Sequence, residues 1–281
     1  MKDFFKKEKY SFFITPALIW QIGFFFVSLL FVVQLAFFKQ FFHEFTWNYF
    51  SQIFHITHFA VIFRSLQLAF VSAVLSLLCG YPIAYFLALY VNRRYKTILL
   101  FLITLPFLTN LLVQIYAWYF ILEKNGILNK FLSFFFLNLD NWLTNSFAMY
   151  IVLFQIYLPF MIMPLYAILE KINAQLIEVS LDLGASIFQT FFRIVLPLSL
   201  QGIKTGFFLV YVMAFGEYVI PSLLGGQKKF FVGTLISEYF FIGRDWHSGA
   251  AFTCLSSFVF LLSIVLLNFL LTRFILYLQR V

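Results

Sequence analysis

The sequence predicts an all-α, polytopic membrane protein with a bundle of six transmembrane helices. Three observations carry that expectation. Hydrophobic residues make up 63% of the chain and charged residues only 11%, with a mean hydropathy of +0.95, well above the apolar share of a soluble domain. Phe alone contributes 44 of 281 residues, too many for one soluble core to bury. The apolar runs exceed the roughly 20 residues that cross a bilayer. They are long and continuous, unlike the short alternating strands of a transmembrane barrel.

The elements follow in order along a single domain, 1–281. Met1–Tyr10 is a basic tail with Lys2, Lys6, Lys7 and Lys9, followed by a first span over Phe12–Phe38. This apolar run is long and has no small-residue cleavage site, so it reads as a retained span rather than a signal peptide. Lys39–Phe63 is polar and aromatic and is expected outside. A second span covers Arg64–Val91, and Asn92–Lys96 is a short basic loop. Span three covers Thr97–Leu122, with a kink at Pro106. Glu123–Thr144 is an external loop with room for a short surface helix. Span four covers Asn145–Leu169, with Pro159 and Pro164 inside it. A cytoplasmic segment over about 170–203 leads to span five, Ile203–Leu224. Gly225–Trp246 is external, span six covers Ser248–Leu271, and Thr272–Val281 ends the chain.

Charge supports this topology. The inside segments hold Lys2, Lys6, Lys7, Lys9, Arg93, Arg94, Lys96, Lys171, Arg193, Lys204, Arg273 and Arg280. The outside segments hold Lys39, Arg64, Lys124, Lys130, Lys228, Lys229 and Arg244. Twelve against seven places both termini in the cytoplasm by the positive-inside rule. The net charge of +8 is thus a matter of orientation and gives no sign of a nucleic-acid partner. Cys79 and Cys254 both fall inside spans and read as small buried apolar residues, with neither disulfide nor metal spacing. Pro82, Pro106, Pro159, Pro164 and Pro221 each free a backbone carbonyl, which lipid tolerates only beside neighbours or a water-lined cavity. Several broken helices suggest a path through the bundle, although kinks also serve packing.

The stretch Glu178–Pro197, EVSLDLGASIFQTFFRIVLP, is the most patterned part of the chain. Leu181, Ala185, Phe188, Phe192 and Val195 recur at helical spacing and give one apolar face. Glu178, Asp182 and Gln189 lie on another. Gly184 is disfavoured by about 1 kcal/mol inside a helix, so it marks a sharp turn or a close backbone approach. Pro197 is expected to end or kink the helix near Leu196. The expected result is a short helix, a turn at Gly184–Ser186, and a second helix returning to the membrane.

This stretch resembles the cytoplasmic coupling motif of ABC importer permeases, E-A-A, three residues, G, nine residues, I-x-L-P. Glu178, Gly184, Ile194, Leu196 and Pro197 stand at those spacings, while Val179 and Ser180 replace the alanines. LPFLTNLLVQIYAW (Leu105–Trp118), YLPFMIMPLY (Tyr157–Tyr166), FGEYVIPSLLGG (Phe215–Gly226) and RDWHSGAA (Arg244–Ala251) resemble polyamine-importer permeases. Gln114 departs from the pattern, because many relatives carry arginine there. The resemblance implies a multi-pass permease of the bacterial cytoplasmic (inner) membrane, importing spermidine or putrescine by alternating access. Its implied partners are two copies of an ATP-binding subunit, a second permease subunit and an extracytoplasmic polyamine-binding protein, besides membrane lipid. It implies ATPase coupling through Glu178, Asp182, Gly184, Ala185, Ile194, Leu196 and Pro197. No G-x-x-x-x-G-K-[ST] phosphate loop occurs in the chain, so ATP and its magnesium belong to the partner, and the chain carries no cofactor or catalytic residue of its own.

Glu217 is the most informative single residue. An ionisable group inside a span costs roughly 2.5–3.5 kcal/mol on insertion scales, so a role in function is its first reading. Tyr218, Trp118 and Tyr116 are aromatic neighbours for a passing cation. The competing reading has Glu217 satisfying a broken backbone near Gly216 and Pro221. Asp245 and Trp246, at the outer end of span six, either line the mouth or cap the helix. Trp47, Trp142 and Trp246 suit an interfacial belt. His55 and His58 have no third metal ligand nearby, and neither H-E-x-x-H nor G-x-S-x-G occurs, which weighs against an intramembrane hydrolase. The same architecture importing an amino acid or a metal complex, and a stand-alone channel or secondary transporter, are the other readings.

Overall fold

In a computed structural model of the chain, residues 2–40, 43–133, 146–225 and 230–278 are described. Among them, five helices are long and apolar enough to cross a membrane, and a bent pair makes a sixth crossing if counted as one broken span. The chain forms two compact units, one of Met1–Phe59 with Ile236–Val259 and one of Ala60–Leu235 with Phe260–Val281.

The first unit opens with helix α1, Lys2–Phe37, and a small hairpin of β1, Phe38–Gln40, and β2, His43–Phe45. The strands are antiparallel, with Phe38 opposite Phe45. Helix α2, Asn48–Ile53, lies beside them, and Phe37 packs on Phe50 with ring centroids 4.7 Å apart. Helix α3, Ile56–Leu89, begins here. It starts eight residues before the expected Arg64, because nothing in Ile56–Phe63 stops a helix where the polar segment was expected to continue. The His247 ring stacks on Tyr49 at 4.7 Å, and its Nδ1 hydrogen-bonds the Leu35 carbonyl at 2.8 Å.

The second unit is built around α7, Ser146–Leu169, which contains Pro159 and Pro164 without breaking. Val152, Leu153, Met161, Ile162 and Leu165 on it are fully buried. In lipid, helix association depends on close packing rather than on the hydrophobic effect, so small residues matter at the contact. Gly206, on α10 (Leu196–Phe215), shows this: a Cβ there would lie 2.8 Å from Met161 Sδ and 3.1 Å from the Met161 carbonyl oxygen.

Two further expected spans differ in detail. Span three is no single kinked helix. Helix α4, Arg93–Thr104, passes into a 3-10 turn at Leu105–Leu108, and α5, Leu111–Leu122, departs at 88°. Pro106 begins the break, and Asn110 caps the new helix by accepting the Leu112 N–H at 2.8 Å. Helix α6, Ile127–Ser133, is the short helix for which the next loop had room. Span five ends at Phe215 rather than Leu224. The chain breaks at Gly216–Tyr218 and restarts as α11, Val219–Leu224, because Pro221 lacks an N–H and is tolerated only in a first turn. The chain then returns through α12, Val232–Ser237, and a π turn, Glu238–Ile242, before α13, Trp246–Leu278.

Two residue-level expectations are corrected. Cys79 is exposed on α3 and Cys254 is half-buried, because small side chains on a span also occupy its outer face. Pro197 does not end its helix. A π turn at Phe191–Val195 widens the backbone just before it and carries the helix through, so Ile187–Phe215 is one apolar crossing. Trp142, Lys228, Lys229 and Arg280 lie outside the described residues.

Candidate functional site

The Glu178–Pro197 stretch folds as a helix, a turn and a helix. Helix α8, Ala174–Asp182, is capped by Asn173, whose side chain accepts the Gln175 N–H at 3.0 Å. Gly184 has φ +86°, a left-handed conformation that penalises any Cβ. A Cβ there would meet nothing within 4 Å among the described residues, so the glycine serves the turn rather than a close approach to them. Helix α9, Ile187–Thr190, opens with a reciprocal capping box. Ser186 Oγ accepts the Gln189 N–H at 3.3 Å, and Gln189 Oε1 accepts the Ser186 N–H at 2.9 Å. A 2.9 Å hydrogen bond between Ser180 and Thr190 hydroxyls locks α8 to α9.

The turn splits the expected continuous apolar face. Leu183 is 83% and Phe188 77% exposed, and Val179, Leu181, Ile187 and Phe192 are exposed beside them. Glu178, Asp182 and Gly184 are exposed as well, while Ala185, Ile194, Leu196 and Pro197 are half-buried where the segment rejoins the unit. The segment thus presents apolar side chains and two carboxylates to its surroundings.

The second site is the break in span five. Glu217 is half-buried, and its Oε1 accepts the Val219 N–H at 3.0 Å and the Ile220 N–H at 3.4 Å. Its Oε2 accepts the Tyr157 phenol, which is 6% exposed. The backbone-satisfying geometry is therefore present, together with a phenol partner that sequence reasoning did not assign. Tyr157 lies in the stretch already singled out on α7. Its neighbour Gln155 accepts the Trp118 indole N–H at 3.0 Å. Phe160 packs edge-on against Phe107, with centroids 5.0 Å apart. One stretch of α7 thus gathers Glu217 and Trp118 from separate elements. Helix α12 presses on the break, since a Cβ on Gly233 would lie 2.8 Å from Tyr218 Cβ and 2.9 Å from the Glu217 carbonyl oxygen. Tyr218 and Tyr116 are about half exposed, and neither joins that hydrogen-bonded group.

The other break is held by Gln114. Its Nε2 donates to the Pro106 carbonyl and, at 2.6 Å, to Thr109 Oγ1, tying α5 to the 3-10 turn before it. In the first unit, Asp245 Oδ1 accepts the Ser248 N–H at 3.1 Å, which is the capping geometry weighed for it. Trp246 is exposed and lies edge-on to Phe240. Burial, then the Asp245 carboxylate, push the Tyr239 phenol above its ordinary range. Tyr239 also shares a 2.9 Å hydrogen bond with His58 Nε2.

Residues 80–280 match the family described as binding-protein-dependent transport system inner membrane component. The chain is 37% identical over 247 residues to the spermidine/putrescine transport system permease protein PotB of Haemophilus influenzae, covering 85% of this chain and 86% of that protein. It is 39% identical over 210 residues to PotB of Escherichia coli, covering 74% and 76% respectively. In structure it resembles a chain of a bacterial ABC transporter involved in the import of the acidic polysaccharide alginate, with a TM-score of 0.73 at 20% identity, covering 92% of this chain and 93% of that one. A second alginate transporter structure, in complex with an alginate pentasaccharide-bound periplasmic protein, matches with a TM-score of 0.66 at 20% identity, covering 98% and 97%. At that identity the structural likeness concerns the fold.

Proposed function

Because this chain belongs to the family of binding-protein-dependent transport system inner membrane components, we propose that it is the permease subunit of an ATP-driven ABC importer of spermidine or putrescine. It is a multi-pass inner-membrane protein, and both termini face the cytoplasm in this reading. The exposed helix–turn–helix at Glu178–Pro197 carries the proposal, because an apolar, acidic knob between two crossings has the form that a partner's cleft would receive. The PotB relatives supply the substrate class. In this reading Glu217, with Tyr157 beside it, and the Trp118–Gln155 pair offer a polyamine cation a carboxylate and aromatic faces.

The mechanism is alternating access. Two ATPase copies bind ATP and magnesium, close, and draw the coupling segments with them. The paired permeases then open to the binding protein, and hydrolysis resets them. The 281-residue chain acts as one permease domain and performs no chemistry itself.

Vesicles holding the assembled complex are expected to accumulate labelled putrescine only with ATP and binding protein, and competing polyamines should displace the label. Uptake without ATP would identify a channel or secondary transporter. Competition by an amino acid or metal complex alone would reassign the substrate.

Orientation has its own test. In a background lacking Cys79 and Cys254, a cysteine at Arg94 is expected to resist an impermeant thiol reagent in intact cells and to react in inverted vesicles. A cysteine at Lys124 should do the reverse. Labelling at Arg94 from outside overturns the topology.

A further inference from the structure

The two roots of the Glu178–Pro197 segment are both fastened to one corner of the second unit. On the way in, Glu170 follows the end of α7. Its Oε1 accepts the Tyr166 phenol at 2.6 Å and lies 3.8 Å from Lys96 Nζ. Lys96 also donates to the Ala88 carbonyl at 2.6 Å, so it joins the end of α3, the start of α4 and the end of α7. On the way out, Phe191 opens the π turn. Tyr81 and Tyr85, one turn apart on α3, both meet its ring edge-on, at 5.7 and 5.8 Å. The Tyr81 hydroxyl shares a 2.8 Å hydrogen bond with Ser199, in the first turn of α10.

Between those roots the segment is internally braced by the Ser180–Thr190 bond and the Ser186–Gln189 box. A braced body fixed at two points moves what it is fixed to. We propose that the cytoplasmic end of α3 is a positioning strut for coupling, with Tyr81 and Tyr85 transmitting displacement of the segment to α3 through Phe191, and Lys96 doing so through Glu170. The inference rests on the reading of that segment as the ATPase-docking element. None of these side chains touches ATP or substrate in this scheme. They decide how much of the partner's motion reaches the spans.

The π turn suits this role. Its widened i to i+5 bonding is a local departure from α geometry and is often found at functional positions. Here it sits between the exposed segment and the crossing, with both tyrosines on its first ring and Tyr81 also bonded to Ser199 just beyond it.

The test is the number of ATP molecules hydrolysed per solute imported by the assembled complex with its binding protein. Tyr81→Leu with Tyr85→Leu is expected to raise that ratio at least fivefold, while the ATPase still copurifies and hydrolyses ATP at no less than half the wild-type rate. Tyr81→Phe with Tyr85→Phe keeps both rings and should stay within twofold of wild type. Lys96→Glu should raise the ratio by a smaller factor, and adding Glu170→Lys should restore it. An unchanged ratio in the double leucine variant overturns the strut. So does loss of the ATPase from that variant, which would make the tyrosines elements of assembly. If the wild-type complex answers its binding protein with ATP hydrolysis but moves no putrescine, the substrate assignment fails alone, and the ratio is read on the solute that the binding protein carries.

Discussion

Glu217→Gln is expected to lower putrescine uptake by an order of magnitude or more, with insertion and ATPase assembly intact. The substitution keeps an oxygen for the Val219 and Ile220 N–H groups, and its amide can donate to the Tyr157 hydroxyl. The break at Gly216–Tyr218 therefore keeps its hydrogen bonds and loses only a charge. A hydrogen bond to a charged group contributes about 1.5–3 kcal/mol, which corresponds to roughly a tenfold to hundredfold change in interaction with a passing ammonium. Glu217→Asp should be intermediate, because its carboxylate is withdrawn by one methylene. Uptake is measured in vesicles over a range of putrescine concentrations. Wild-type rates throughout would make Glu217 a helix-break residue only. Failure of the glutamine variant to insert would also assign it to the fold.

Gly184→Leu is expected to lower coupled uptake about tenfold while the chain still inserts. The side chain has space, since none of the described residues lies within 4 Å of its Cβ position. The penalty lies in the backbone. At φ +86° an L side chain costs about 1–2 kcal/mol, enough to favour another turn and re-aim α9 against α8. A docking knob held in the wrong shape binds poorly even when each contact residue is present. Copurification of the ATPase is expected to fall about tenfold, and uptake with it. Gly184→Asn should be milder, because asparagine tolerates the left-handed region better. Normal copurification together with normal uptake in the leucine variant would refute this account. Pro197→Ala should be weaker still, since the π turn already carries the helix past that position.

Local signals decided what could be read in advance. The helix–turn–helix at Glu178–Pro197 was legible because Gly184 marks the turn within the sequence itself. The family, the all-α class and most span positions followed from long apolar runs and spaced motifs. The 88° break in span three was underestimated, because Pro106 alone suggests a kink; Asn110 as a cap for a new helix was the overlooked sign. The end of α10 at Phe215 was missed for a related reason. In the sequence Pro221 reads as an interior proline, whereas its place in the first turn of α11 requires the break to precede it. The partners of Glu217 and Glu170 were not legible at all. Tyr157 is 60 residues from Glu217, and Lys96 is 74 residues from Glu170. No local pattern pairs residues so distant in sequence.

Helix α3 has 34 residues, or roughly 50 Å at 1.5 Å per residue. The hydrocarbon layer is only about 30 Å thick. Even a tilt of about 40°, the upper end of the usual range, leaves it nearly 40 Å tall, so at least one end must stand clear of the acyl chains. Its tilt and protrusion are set jointly by its neighbours and by the thickness of the surrounding lipid. Acyl-chain length therefore acts on the angle of the same helix whose final turns carry Tyr81 and Tyr85.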